Sequence, residues 1–168
     1  MLPHGRKGLA MFYLLALLIG VVAGLRAMTA PAAVSWAAYS GILVLDGTWL
    51  SFLGSIWAAV ILTILAVAEL VTDQLPSTPS RKVPPQFATR VVMGALSGAA
   101  IGVGFGMWAG GLAAGAIGAV AGTYGGAAVR SALAKAVGRD TPAALTEDAV
   151  AIVGAWLILN AVTVAAVS

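Results

Sequence analysis

The chain has 168 residues, of which 61% are hydrophobic and 9% charged, and its mean hydropathy is +1.01. Soluble domains carry about 25% charged residues, so this composition excludes a water-soluble fold and predicts an all-α polytopic membrane protein. The net charge of +3 is then a signal of membrane topology rather than of nucleic-acid binding. The lack of cysteine and the single histidine, His4, exclude disulfides, thiol nucleophiles and zinc fingers, and no cofactor is predicted.

Uncharged stretches divide the chain into five to six membrane helical segments. Crossing the hydrocarbon core takes about 20 apolar residues in a helix. The uncharged stretches lie at 8–25, 27–45, 47–68, 91–129 and 149–168. The fourth is long enough for two helices, and we expect a tight turn at Gly110-Gly111 to divide it. Residues 1–168 are therefore expected to form a single transmembrane domain.

Segment 27–45 is short and allows two topologies. Thr29-Ala30-Pro31 predicts a helix start with Thr29 as N-cap, and Asp46-Gly47 predicts a turn, which leaves about 15 residues or roughly 23 Å of helix. If this segment is re-entrant, five helices cross and Arg26 alone among the Lys and Arg residues lies outside. If it crosses, six helices span, the N-terminus lies outside, and Arg26 joins most other basic residues on the cytoplasmic face.

A Pro-rich loop, 74–87, joins two halves of the chain, 9–73 and 88–168. Four prolines in ten residues, 76–85, forbid a continuous helix there. The loop is either a hydrophilic connector or a surface that contacts an anion or a lipid headgroup, because Arg and Lys beside hydroxyl donors suit phosphate and carboxylate groups. The candidate contacts are Ser77, Thr78, Ser80, Arg81 and Lys82.

Glycines recur at a spacing of four residues in the second half of the chain. Lipid provides no hydrophobic drive for helix association, and small residues let helix backbones approach closely. The spacing therefore predicts tight helix packing, either within one chain or across a homodimer. The candidate packing residues are Gly94, Gly98, Gly102, Gly106, Gly118 and Gly122.

The two halves also share an internal echo. The sequence IGVVAG at 19–24 recurs as IGAVAG at 117–122, and each copy is followed by an arginine, a proline and a glutamate. In a chain this rich in alanine and glycine, the echo is compatible with chance and with a duplication. A duplication would give two inverted repeats of three segments, related by an axis in the membrane plane.

Several ionisable residues interrupt or border the apolar segments. Glu69 lies in the last turns of an apolar segment, and Asp73 follows four residues later on the same helix face. Charged residues in membrane segments usually face the protein interior. We expect Glu69, Asp73, Arg26, Arg130 and Glu147 either to line the path of an ion or solute or to form ion pairs that fix helix packing. The simpler alternatives are an interfacial anchor for Arg26 and complementation of a helix dipole by Glu147 and Asp148.

The pattern of charged residues, glycine and proline resembles that of a family of small bacterial integral membrane proteins with a domain of unknown function. The resemblance is carried by Gly24, Arg26, Pro31 and Glu69. A weaker second match runs through Arg130, Pro142 and Glu147. It implies a multi-pass protein of the bacterial inner membrane and supplies no activity.

These features favour a small transporter or channel-like protein for a small ion or solute, acting as a homo-oligomer in the lipid bilayer. A second hypothesis is a membrane protein or enzyme that binds lipid phosphates through Arg26, Arg81 and Lys82. A third is a structural or assembly protein that packs through its glycines. The sequence has no Walker loop, no Gly-x-Ser-x-Gly and no paired-aspartate phosphotransferase pattern, which disfavours an enzyme.

Overall fold

The computed structural model describes residues 6–73 and 83–167, which form six α-helices and a short 3₁₀-helix at Ser51–Gly54. The α-helices are α1 (Arg6–Leu25), α2 (Thr29–Tyr39), α3 (Ile56–Thr72), α4 (Pro84–Gly104), α5 (Trp108–Val137) and α6 (Asp140–Val167). Four of them, α1, α4, α5 and α6, are long and apolar enough to cross a membrane, and α3 is a shorter apolar helix. The predicted all-α fold is confirmed. The candidate headgroup contacts Ser77, Thr78, Ser80, Arg81 and Lys82 lie outside the described residues.

The first long helix runs antiparallel to α4. Near the start of α1, the ring of Phe12 packs on Phe105, which follows α4, with centroids 5.4 Å apart. Near the end of α1, the backbone oxygen of Gly24 accepts a hydrogen bond from Arg90 in the second turn of α4. We refer to the end of the bundle that holds Gly24 and Arg90 as the charged end, and to the end that holds Phe12 and Phe105 as the aromatic end.

Glycines bring α1, α4 and α5 into backbone contact. A Cβ atom added to Gly98, Gly115 or Gly118 would overlap a backbone carbonyl oxygen of a neighbouring helix. Packing this close leaves room for no side chain. The other glycines of the predicted set whose added Cβ would meet neighbouring atoms at less than 3.0 Å are Gly94, Gly102 and Gly122. These contacts lie within one chain, and a homodimer stays a prediction.

The turn between α4 and α5 lies at 105–107, so the predicted turn at Gly110-Gly111 is wrong. Gly106 has φ +70°, a left-handed conformation that glycine adopts without steric cost. Gly111 belongs to α5 and packs against Gly98. Gly106 therefore serves this turn and not the helix packing predicted for it. The prediction failed because the four-residue spacing of glycines continues unchanged through the turn and does not reveal where α4 ends.

We expect Gly115→Ala to destabilise the protein by about 1 to 3 kcal/mol, the usual range for an overpacked core, because the new methyl group would meet the Gly94 carbonyl. Gly125→Ala in the same helix is the matched control, since nothing lies within 4 Å of its Cβ position and alanine is the better helix former. Size-exclusion chromatography of heated samples in detergent measures both midpoints of unfolding. Equal midpoints would contradict the importance of this close approach.

Helices α2 and α3 form a hairpin that begins and ends at the charged end. The N–H groups of Ala27 and Met28, just before α2, donate to the Glu69 carboxylate of α3 at 2.8 Å each. The connector between the two helices reaches the aromatic end, where Trp49 packs on Trp108, the first residue of α5, with centroids 6.0 Å apart. Segment 27–45 therefore extends between the two ends as an 11-residue helix followed by an irregular connector.

The position of Arg26 bears on the two predicted arrangements of the chain. The five-crossing arrangement placed Arg26 on the face opposite to the other basic residues. In the structure, Arg26 pairs with Asp73 at the end of α3, and the same carboxylate lies 3.7 Å from Arg90. Helix α3 therefore returns to the end from which α2 starts, which favours the arrangement with Arg26 on the same face as the other basic residues, and the number of crossings stays a prediction.

The echo between α1 and α5 does not mark an inverted repeat. Gly20 packs beside Gly115, and Gly24 packs beside Ala119 and Gly122, so the two helices run parallel. Inverted repeats place matching helices in opposite directions. The echoed glycines instead pack α1 against α5. The division of the chain into halves 9–73 and 88–168 stays a prediction.

Candidate functional site

Three arginines and four carboxylates meet at the charged end, and we refer to them as the ionic cluster. Its members are Arg26, Glu69, Asp73, Arg90, Arg130, Glu147 and Asp148. The cluster joins the end of α1, the end of α3, the second turn of α4, the last third of α5 and the third turn of α6. All five residues predicted for the polar path are members, and Arg90 and Asp148 were not in that prediction.

Arg26 lies at the centre of the ionic cluster and is 0% exposed. Its Nε donates to Asp148 Oδ1 at 2.5 Å, and its Nη1 and Nη2 pair with the carboxylates of Asp73 and Asp148. Glu147 Oε2 lies 4.0 Å from Nη2. Arg26 therefore links α3 to α6, and the alternative of an interfacial anchor for it is wrong, because an anchor keeps its guanidinium in water.

Arg90 is the second buried cation, with 1% exposure. Its Nη1 donates to the backbone oxygens of Gly24 at 3.1 Å and Leu25 at 2.6 Å, and its Nη2 lies 3.3 Å from Glu69 Oε1. The last carbonyls of a helix lack partners within the helix, so Arg90 satisfies the end of α1. Arg90 was not singled out from the sequence. Its position as the only charge in α4 was the signal available.

Glu69 holds the start of α2. Both of its carboxylate oxygens accept backbone N–H groups, from Ala27 and Met28. Thr29 was predicted as the N-cap, but it is the first residue of α2, and the N-cap Met28 makes no side-chain capping bond. The acceptor comes instead from a neighbouring helix, where a negative charge also complements the positive end of the α2 dipole.

Arg130 forms the outer edge of the ionic cluster. It binds Asp140 in a bidentate manner, with Nε at 3.0 Å and Nη2 at 2.5 Å, and its Nη1 lies 3.5 Å from Glu147 Oε2. Because α6 begins at Asp140, Glu147 lies two turns inside the helix. The predicted role of Glu147 in complementing the helix dipole is therefore wrong, since the residue is an ion-pair partner and Asp140 occupies the first turn.

The carboxylates of α3 are more accessible than the central arginines. The side chains of Glu69 and Asp73 are 13% and 14% exposed, against 0% for Arg26 and 2% for Arg90. Arginine keeps its charge in proteins, so the chemistry open to the cluster is protonation or cation binding at a carboxylate. Within residues 6–73 and 83–167, no group of three or more His, Cys, Asp or Glu side chains is arranged to hold a metal ion.

Comparisons of the chain with protein-family models, curated proteins and solved structures found no match. The resemblance to a family of small bacterial membrane proteins stays a prediction. The function is therefore inferred from the ionic cluster and its surroundings.

Proposed function

We propose that this protein is a small transporter or channel-like protein of the bacterial inner membrane, and that the ionic cluster is the polar path for a small ion or solute. The observation that supports this most is the burial of Arg26 and Arg90 with their carboxylates among helices long enough to span a membrane. Ionisable residues in such helices are rare and mark ion or proton pathways. Glu69 and Asp73 are more exposed than Arg26 and Arg90, and the similarly exposed Arg130 is bound by Asp140. This difference favours a cation, including the proton, over an anion.

The charged end faces the cytoplasm in this proposal. Arg26, Arg90 and Arg130 lie there, and Lys135 and Arg139 follow near the turn between α5 and α6. Short loops rich in Lys and Arg favour the cytoplasmic side of a membrane. The aromatic end, where Trp49 meets Trp108, then lies at the opposite interface, where tryptophan is enriched.

The α2–α3 hairpin is the element that an ion would release. Helix α3 packs mainly against α2, and its carboxylates Glu69 and Asp73 connect it to Arg26 and Arg90 of the long helices. Protonation or cation binding at Asp73 would weaken its pairs with both arginines. An ion that binds one arrangement of the hairpin more tightly than another shifts the population between them, which is the requirement for coupled transport.

The two other hypotheses receive less support. The guanidinium of Arg26 is engaged by carboxylates, which repel a lipid phosphate. Of the six glycines predicted to pack helices, all but Gly106 are engaged in contacts within the chain, so an assembly role would need a different surface.

The test is cation flux into liposomes that contain the purified protein. A pH-sensitive dye inside the liposomes reports flux driven by a proton gradient, and matching dyes report sodium and potassium. We expect Asp73→Asn to lower the rate at least tenfold, because the neutral amide removes the titratable group and the negative charge. Asp46→Asn is the matched control, since Asp46 is exposed in the connector after α2, and it should keep the full rate.

Two results would contradict the proposal. Wild-type protein that carries none of the three cations would exclude a cation path. Equal rates for Asp73→Asn and wild type, with both proteins eluting as folded, would show that the ionic cluster serves packing alone.

A further inference from the structure

A groove of about 390 Å³ lies between α2 and α6. Its walls are mostly apolar, and Trp36 and Trp156, which flank it, are 42% and 63% exposed. Trp156 belongs to a helix that is long and apolar enough to span a membrane, so the groove opens sideways toward lipid rather than at an end of the bundle. A molecule that binds in this groove therefore enters from the bilayer.

Thr29 gives this groove a polar end. The residue is 8% exposed, and among the described residues its Oγ1 is buried without a hydrogen-bond partner. A buried hydroxyl without a partner is unfavourable, more so beside hydrocarbon. Threonine in helices populates two χ1 rotamers, so a rotation turns the hydroxyl into the groove, where it can donate to an acceptor.

The depth of Thr29 identifies the acceptor. Thr29 lies three residues after Arg26 and therefore near the ionic cluster at the charged end of the bundle, which we place at the polar boundary of the membrane. Phospholipid ester carbonyls lie at this boundary, and they accept hydrogen bonds but cannot donate them. From there the groove continues along α6 from Ile152 to Leu159, about 10 Å toward the aromatic end at 1.5 Å per residue, with apolar walls.

We propose that this groove binds one acyl chain of a phospholipid from the leaflet at the charged end, with the ester carbonyl accepting a hydrogen bond from Thr29. The chain lies between Trp36 and Trp156, and the headgroup stays at the polar boundary. The site is separate from the ionic cluster, so it does not depend on the transport proposal.

Native mass spectrometry of the full chain in detergent tests this assignment with two probes. They are dioleoyl phosphatidylglycerol and the diether lipid with the same headgroup and chains, which lacks ester carbonyls. We expect wild type to bind the diester lipid about fivefold more tightly than the diether lipid, because a factor of this size corresponds to the net free energy of one hydrogen bond. Thr29→Val keeps the shape and should abolish this preference. Thr146→Val is the matched control, because that exposed hydroxyl bonds within its own helix, and it should keep the preference.

A second pair of variants tests the groove itself. Ala33→Phe fills the groove and should abolish retention of the diester lipid, that is, the lipid that stays bound to the protein in the mass spectrum. Val153→Phe should not change this retention, because Val153 is a 53% exposed residue of α6 outside the groove. Equal binding of the two lipids by wild type would overturn the ester contact. Retention by Ala33→Phe equal to wild type, or no retention by wild type, would overturn the acyl-chain site.

Discussion

Replacement of Arg26 by methionine is expected to destabilise the protein by about 3 to 5 kcal/mol, the cost of removing one partner from a buried ion pair. Arg26→Met keeps a long side chain in the space between α3 and α6. It removes the guanidinium that pairs with both Asp73 and Asp148. The two carboxylates then repel each other in surroundings of low polarity, where interactions between charges are strong.

The measurement is the midpoint of unfolding in detergent, obtained from the fraction of protein that elutes as folded after heating. Arg139→Met makes the same substitution at an exposed position after α5 and should leave the midpoint unchanged. Adding Asp148→Asn to Arg26→Met should recover part of the loss, because one of the two like charges is removed. An Arg26→Met protein that unfolds together with wild type would show that the ionic cluster contributes little to stability.

Glu69→Ala is expected to have the second large effect, by opening the α2–α3 hairpin. The substitution removes two hydrogen bonds to the start of α2 and one of the carboxylates near Arg90. Hydrogen bonds to a charged group contribute about 1.5 to 3 kcal/mol each, so the hairpin should separate from the long helices in a much larger fraction of molecules.

Thiol labelling measures this opening cleanly, because the chain has no cysteine. Val34→Cys places a thiol on α2 at a position that is 0% exposed. We expect Glu69→Ala to raise the labelling rate at this position by a water-soluble maleimide at least tenfold. Glu69→Gln keeps one oxygen acceptor and should give an intermediate rate, and Asp46→Ala should have no effect. A rate unchanged by Glu69→Ala would mean that apolar packing alone holds the hairpin.

The class of protein and the helical fold were determined by the sequence alone. In hydrocarbon each backbone N–H and C=O group must bond within the chain, which long apolar segments achieve as helices. The close approach of helices at Gly98 and Gly118 was also predictable, because a ridge of small residues is a local property of one helix. The unusual charges at Arg26, Glu69 and Asp73 were visible for the same reason, since each stands out against its own segment.

Only the tertiary structure decided which groups meet. Arg26 pairs with Asp148, 122 residues away, and the start of α2 is held by Glu69 rather than by its own Thr29. Such pairs join helices far apart in the chain, and no local spacing encodes them. The parallel packing of α1 and α5 could not be predicted for a related reason, since a repeated sequence does not specify the relative direction of the two helices. The sequence therefore determined what each helix is, and helix packing determined which charges form the ionic cluster.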